Sequence, residues 1–306
     1  MASRPEKLLL LDTASLYFRA FYGVPDKVKA ADGSSVNAAR GLLDMIAKLV
    51  TTYEPTRLVA CWDDDWRPAW RVDLLPSYKA HRVVEAVPSG PDVEDVPDPL
   101  EAQIPLIREA LGVLGIPIVG AAEHEADDVI GVLATRAEVP VDIVTGDRDL
   151  FQLVDDERGI RIVYTARGMS NLELVDDATV FAKYGVHARQ YADFAVLRGD
   201  PSDGLPGVPG IGEKSAASLL AACGDLDGIR SAVREGTAGT PAQRTKIAAA
   251  AEYLDVAPTV VRVARELDLP PFDDRLGPVD RSAAEHLAER WNLGSSMTRA
   301  LTALTS

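Results

Sequence analysis

The stretch KLLLLD, residues 7–12, decides the fold: four leucines in a row closed by an aspartate. A short apolar run bounded by charge reads as a strand of a parallel sheet. The same form returns in RLVACWD (57–63), ending on Asp63, and in VDIVTGD (141–147), ending on Asp147. IPIVG (116–120) adds a further short run. Between these runs lie helical patterns: RGLLDMIAKLVTTY (40–53), a segment near 100–114, and EADDVIGVLATRA (125–137). Such alternation predicts βαβ units in an α/β fold, a mainly parallel sheet with helices on both faces. IRIVYTA (160–166) and MSNLELV (169–175) read as a hairpin on the sheet edge.

From Asp177 onward the pattern turns helical, with helices expected at 177–184, 188–199, 213–222, 240–254 and 281–292. This divides the chain into an α/β domain over 1–185 and a helical domain over 186–306. Residues 83–99, VVEAVPSGPDVEDVPDP, carry four prolines among many acids and read as an irregular loop, since no continuous helix tolerates them.

At 306 residues and 47% hydrophobic content the chain can fill a sizeable core. Two cysteines, Cys61 and Cys223, without zinc-like spacing argue for a reduced compartment, so a cytoplasmic location is expected. No window resembles a signal peptide or a membrane span. The net charge of −15 disfavours a general nucleic-acid binder, and any reading that includes DNA must answer it.

Three strands thus deliver a carboxylate at the C-terminal edge of the sheet: Asp12, Asp63 and Asp147. That edge is where ligands bind in open α/β folds. Glu125, Asp127 and Asp128 open the helix of EADDVIG, Asp149 follows Asp147, and Asp200 and Asp203 stand in GDPSDG. Any one of these is more often a helix cap or turn former. Nine at corresponding positions would repel one another unless cations neutralise them. An all-oxygen set without histidine spacing calls for Mg²⁺ or Mn²⁺, and two or three such ions would reverse the local sign. Setting the nine aside leaves −6 of the −15.

SYKAHR supplies Tyr78, Lys79 and Arg82, with Arg71 upstream. These residues read either as a solvated helix face or as a clamp for a phosphate and a stacked base. The run from Gly207 to Ser215, GVPGIGEKS, imitates two nucleotide motifs. Glu213 interrupts the Gly-Lys pair of a P-loop, Ser215 takes the last place of the GxGxxG begun by Gly210 and Gly212, and no strand precedes either. Two helices joined by a glycine-bearing turn remain. Its backbone N–H groups and Lys214 would hold a duplex phosphate without reading sequence.

LLLLDTASLYFRAF, SYKAHR, HEADDVIG, TGDRDLFQLV and GDPSDGLPGVPGIGEKSA, in this order, resemble the structure-specific 5′ nucleases: the 5′→3′ exonuclease domain of bacterial DNA polymerase I and the flap endonucleases. The resemblance runs from about Lys7 to Leu254. It implies a PIN-like domain with a helix–three-turn–helix module that cuts 5′ flaps, nicked or gapped duplexes and 5′ ends of DNA. By motif position, Asp12, Asp63, Glu125, Asp127 and Asp128 would form a first metal group, and Asp147, Asp149, Asp200 and Asp203 a second. Lys79 and Arg82 would stand near the scissile phosphate, at the base of an arch. Gly207 to Ser215 would grip the duplex, where family members often hold K⁺ through backbone oxygens. Thr13 stands where the family usually has glycine, and Gly204 where asparagine is common. A free-standing, monomeric nuclease is expected. Its rivals are an inactive branched-DNA binder of the same fold and a phosphohydrolase with an aspartate nucleophile. Asp12-Thr13-Ala14 lacks the second aspartate that such a phosphohydrolase needs.

Overall fold

The computed structural model describes residues 5–87 and 92–305. Its strands are β1 (Leu8–Asp12), β2 (Arg57–Cys61), β3 (Val83–Glu85), β4 (Val93–Glu94), β5 (Ile118–Val119), β6 (Val141–Thr145), β7 (Ile160–Tyr164) and β8 (Glu173–Val175). Six of them form one sheet in the order β5-β2-β1-β6-β7-β8. All neighbours are parallel except β7 and β8, the antiparallel edge hairpin.

Chain direction across this sheet reverses between β1 and β6. From β1 the chain builds outward through β2 to β5, then returns to lay β6 on the other side of β1. At such a switch point the loops leaving adjacent strands diverge and open a crevice at their C-terminal ends. Asp12 ends β1, and Asp147 lies two residues past β6.

The helices of the first half are α1 (Thr13–Gly23), α2 (Asn37–Tyr53), α3 (Ala69–Leu74), α4 (Asp98–Glu101), α5 (Ile104–Val113), α6 (Ala126–Arg136) and α7 (Asp177–Tyr184). Those of the second half are α8 (Tyr191–Arg198), α9 (Glu213–Cys223), α10 (Leu226–Glu235), α11 (Pro241–Ala249), α12 (Ala251–Val261), α13 (Arg281–Arg290) and α14 (Gly294–Leu304). Alternate residues of β1 feed opposite cores, as the two-residue period of a strand requires. Leu8 and Leu10 pack with α6, α8, α9 and α12 on one face. Leu9 and Leu11 pack with α1, α2, α5, α13 and α14 on the other.

The helical half differs from expectation in three places. The helix expected over 240–254 is two, joined at Ala250, and the second continues through Pro258 to Val261. α10 and α14 were not anticipated. α14 and α13 pack on α2 and α5, so the end of the chain covers the sheet's second face instead of extending the 186–261 group. The 83–99 segment also holds more order than an irregular loop: β3 and β4 pair antiparallel, and α4 begins at Asp98. Residues 88–91 of that segment lie outside the described residues.

Candidate active site

Each acid of the crevice is fixed by the element that delivers it. Asp12 ends β1 and caps α1. Its Oδ1 accepts from the Ser15 amide at 3.2 Å, and its Oδ2 accepts from the Thr145 hydroxyl of β6 at 2.6 Å. Asp63, just past β2, accepts from the Ala126 amide at 2.8 Å and so ties the strand to the start of α6. Asp147 Oδ1 accepts from the Asp149 amide at 2.9 Å. Asp12, Asp63, Glu125, Asp127, Asp147 and Asp200 together line one cleft of about 680 Å³, with Lys79 and Arg82 on its wall.

Their electrostatics are those of crowded, desolvated carboxylates. Burial, with Asp63 and Asp147 adding repulsion, pushes Asp12 up to about 7. Burial and Glu125 push Asp63 up to about 6. Burial, then Asp12 and Asp147, raise Asp127 well above the usual carboxylate range, and burial with Asp147, Asp203 and Asp200 does the same to Asp149. Asp203 rises to about 6 through burial and Asp147, although Lys79 and Arg82 oppose the shift. Asp200 moves the other way. Burial would raise it, but Ser202, Arg198 at 3.1 Å and Arg148 at 3.6 Å hold it low.

The donor set fits hard divalent cations: it is all oxygen, mutually repulsive, and includes a buried Asp149 Oδ1 with no hydrogen-bond partner. Among the described residues, no group of three or more His, Cys, Asp or Glu side chains is set to hold an ion as it stands. The fit is therefore one of donor type, charge and burial rather than of a preformed coordination shell.

Three residues expected at the working surface are interior instead. Asp128, placed by the sequence among the metal ligands, is 0% exposed. It takes a bidentate pair from Arg71 at 2.8 and 2.7 Å and a bond from the Ala264 amide at 2.9 Å. Arg71, expected to face DNA, is 2% exposed and also reaches Glu125 at 2.9 Å and the Val260 carbonyl at 3.1 Å. Tyr78, expected to stack a base, is 5% exposed and donates its hydroxyl to Glu125 at 2.7 Å. The reason is shared. Glu125 sits at the buried head of α6, and a carboxylate taken out of water must be surrounded by donors. Lys79 completes that ring, its ammonium bonded to Glu125. Burial is the strongest single influence and works to lower the Lys79 pKa, but Glu125, Tyr78 and Asp203 together outweigh it and hold the charge in place.

The second half reaches the cleft through a backbone seam. The Lys79 amide donates to the Asp203 carbonyl at 3.0 Å, and Arg82 donates to the Ser202 carbonyl at 2.8 Å and Asp203 Oδ1 at 3.2 Å. Gly204, at φ +70°, lies against Ser77, where a Cβ would stand 2.0 Å from the carbonyl oxygen. Glycine at that position follows from this approach. Thr13 is wholly buried and donates to the Leu11 carbonyl at 3.4 Å.

In the 207–215 run, Gly210, Gly212 and Lys214 are exposed and Ser215 partly so. Gly207 is not. It is buried at φ +67°, with a would-be Cβ 2.5 Å from the Gly199 amide nitrogen, so it shapes the turn rather than facing a duplex. The α9 N-terminus has no side-chain cap, which leaves its first-turn amides for an outside acceptor.

Sequence reasoning missed two cations. Arg148 lines the cleft from between Asp147 and Asp149, and the charge alternation of GDRD was its signal. Arg19, one turn after Ser15 on α1, has no carboxylate at ion-pair distance among the described residues, and its Nη2 would lie 3.2 Å from a Cβ at Gly146. Their i, i+4 spacing was its signal.

This arrangement has known counterparts. The family model described as the 5′-3′ exonuclease N-terminal resolvase-like domain matches residues 7–185, and that described as the 5′-3′ exonuclease C-terminal SAM fold matches residues 186–281. The chain belongs to the 5′-3′ exonuclease family. A 5′-3′ exonuclease of Streptomyces coelicolor is 60% identical over 97% of this chain and 100% of its own length. DNA polymerase I of Mycobacterium bovis is 43% identical over 72% of this chain, which corresponds to 23% of that polymerase. In fold, the chain resembles the bacteriophage T5 D15 flap endonuclease crystallised with DNA and metal ions, at a TM-score of 0.63 and 16% identity, covering 98% of this chain and 100% of that one.

Proposed function

We propose that this member of the 5′-3′ exonuclease family hydrolyses phosphodiesters of 5′-flapped and 5′-ended DNA with the help of Mg²⁺ or Mn²⁺ ions held at the acidic cleft. The observation that carries the reading is that six of the nine expected carboxylates, brought from distant parts of the chain, line one cleft at the sheet's switch point. Asp12, Asp63, Asp127, Asp147, Asp149 and Asp203 would hold the ions. Glu125 and Asp200 each have cationic neighbours already and would contribute a share. When bound, divalent ions supply Lewis-acid stabilisation of the phosphodiester and make water a stronger nucleophile.

The chain's own residues do the rest. Lys79, anchored through Glu125, and Arg82, anchored through Ser202 and Asp203, present fixed positive charge on the wall where a phosphate would lie. Thr145 orients Asp12, and the Asp149 amide orients Asp147. Gly210, Gly212 and Lys214 offer amides and one ammonium to the duplex backbone away from the cut. Lys246 already donates to the Gly210 carbonyl at 3.1 Å, so a K⁺ ion at this turn would share that oxygen with an ammonium. The two unpaired cysteines, Cys61 and Cys223, fit the reduced compartment expected for a cytoplasmic protein. No helix among the described residues is long and apolar enough to cross a membrane.

The test is cleavage of end-labelled flap, nicked and gapped duplexes in Mg²⁺, Mn²⁺ and EDTA. Metal-dependent release of the 5′ strand is expected. Tight flap binding without any cleavage would instead describe an inactive branched-DNA binder.

A further inference from the structure

At the opposite end of the sheet, a pocket of about 300 Å³ opens between residues 152–160, Arg189 and Ala192 at the head of α8, and residues 262–265. Four of its lining residues are arginines: Arg158, Arg189, Arg262 and Arg265. Asp155 is the single acid among the described residues that line it. In a chain with 47 acids against 32 lysines and arginines, this is a local reversal of sign.

The charges are also left largely uncompensated. Arg262 pairs with Asp193 at 2.8 Å. Arg158, Arg189 and Arg265 have no carboxylate at ion-pair distance among the described residues. Two of the three are held in place by uncharged groups. Arg158 Nη2 donates to the carbonyls of Ala134, Thr135 and Ala137 at 3.3, 2.8 and 3.1 Å, around the end of α6. Arg265 Nη2 donates to the Gln152 carbonyl at 3.0 Å. Carbonyl contacts fix a guanidinium without neutralising it. Desolvation first, and then the nearby Arg158, push the Arg265 pKa down, with Asp155 opposing the shift. All four arginines are exposed, over a floor that includes buried Leu153 and Ile160.

The pocket belongs to neither region described above. Ile160 is the first residue of β7, and the acidic cleft lies beyond the other strand ends, a five-residue strand spanning roughly 13 Å. Arg189 precedes α8, whereas the glycine-bearing turn follows it. The two pockets share no lining residue.

We propose that this arginine pocket is a second anion site that binds phosphate groups, apart from the cleft where the phosphodiester is cut. Guanidinium forks match phosphate oxygens two at a time, and the acidic surface elsewhere concentrates the attraction of an anion here. The phosphate could be carried by a small free compound or by DNA that extends past the cleft, since both present the same oxygens.

Calorimetric titration of the full-length protein with inorganic pyrophosphate in EDTA tests the site. Saturable binding is expected, weakened about tenfold or more in Arg189→Glu and in the double variant Arg158→Gln/Arg265→Gln, and unchanged in Asp147→Asn. Arg189→Glu is the safer variant because, among the described residues, Arg189 makes no side-chain hydrogen bond to lose. A parallel titration with flap DNA in Ca²⁺ separates the sources. If the same variants also weaken DNA binding and flatten its salt dependence, the ligand is the DNA backbone; unchanged DNA binding with lost pyrophosphate binding assigns a free phosphate compound. The proposal fails if Arg189→Glu, shown folded by circular dichroism, alters neither titration, or if pyrophosphate binding is lost only in Asp147→Asn.

Discussion

Gly204 approaches Ser77 so closely that an added Cβ would lie 2.0 Å from the Ser77 carbonyl oxygen. Beside this contact the Lys79 amide donates to the Asp203 carbonyl. The seam is the joint through which the helical half sets Asp200 and Asp203 against the sheet edge and brings Lys79 and Arg82 to the same wall. A single glycine thus governs whether two halves of one site meet.

Gly204→Ala should therefore cost more than the roughly 1 kcal/mol of a left-handed residue alone, because the backbone must also shift away from Ser77. Thermal unfolding should show a lowered Tm. Activity measured well below that Tm should fall too, as Asp203 is displaced. A variant with wild-type Tm and wild-type cleavage would remove the seam from the account.

Arg71 serves as a buried counter-ion here. Arg71→Ala leaves Asp128 without its bidentate partner and removes one of three donors from Glu125, and breaking such a buried pair costs about 3–5 kcal/mol. Denaturant unfolding should show this loss, while the salt dependence of flap-DNA binding by the folded protein should not change. A reduced salt slope with full stability would instead put Arg71 on the DNA.

The raised carboxyls set a sign for pH. A group whose folded pKa exceeds its unfolded value binds more protons when folded, so its contribution to stability falls as pH rises between the two. That window runs from 3.8 to about 7 for Asp12, and from 3.8 to about 6 for Asp63 and Asp203. Ion-free protein should lose stability from these groups across that range. Mn²⁺ binds the deprotonated site, so its stabilising increment should be larger at pH 8 than at pH 5, reaching about 2.7 kcal/mol at 100 times Kd. Melting curves with and without Mn²⁺ at both pH values check this, and equal increments would contradict it.

Lys214 is exposed at the head of α9. Lys214→Ala should weaken flap-DNA binding in Ca²⁺ whatever the sequence and lower the salt slope by about one, with no change in Tm. An unaltered slope would take the α9 N-terminus off the duplex.

Much of this was legible in the chain because the strongest signals are local. The runs at Leu8–Leu11 and Val141–Thr145, each followed by an acid, mark both the central strands and the edge they serve. What was not legible depends on long-range partners. Asp127 and Asp128 are adjacent acids in one helical turn, yet one faces the cleft and the other pairs with Arg71, a division decided by the packing of α3 on α12, which sets Arg71 against the head of α6. Tyr78 reads as an amphipathic surface residue until Glu125 is seen to require its hydroxyl. α10 carries Leu226, Ile229 and Val233 at helical spacing with charged residues on the other face, a signal that was present in the sequence. α14 carries Met297, Ala300 and Leu301 at helical spacing, a pattern that was present and went unread.

The central claim is that the carboxylates of the switch-point cleft, acting with divalent ions, cut the phosphodiester. The most direct measurement is single-turnover cleavage of a labelled 5′-flap duplex by wild type and Asp147→Asn in Mn²⁺, with flap binding in Ca²⁺ measured alongside. A loss on the order of 100-fold or more in cleavage is expected, with binding retained, since several kcal/mol of charge stabilisation depend on the ions that Asp147 would help to hold. Cleavage by Asp147→Asn at the wild-type rate would contradict it.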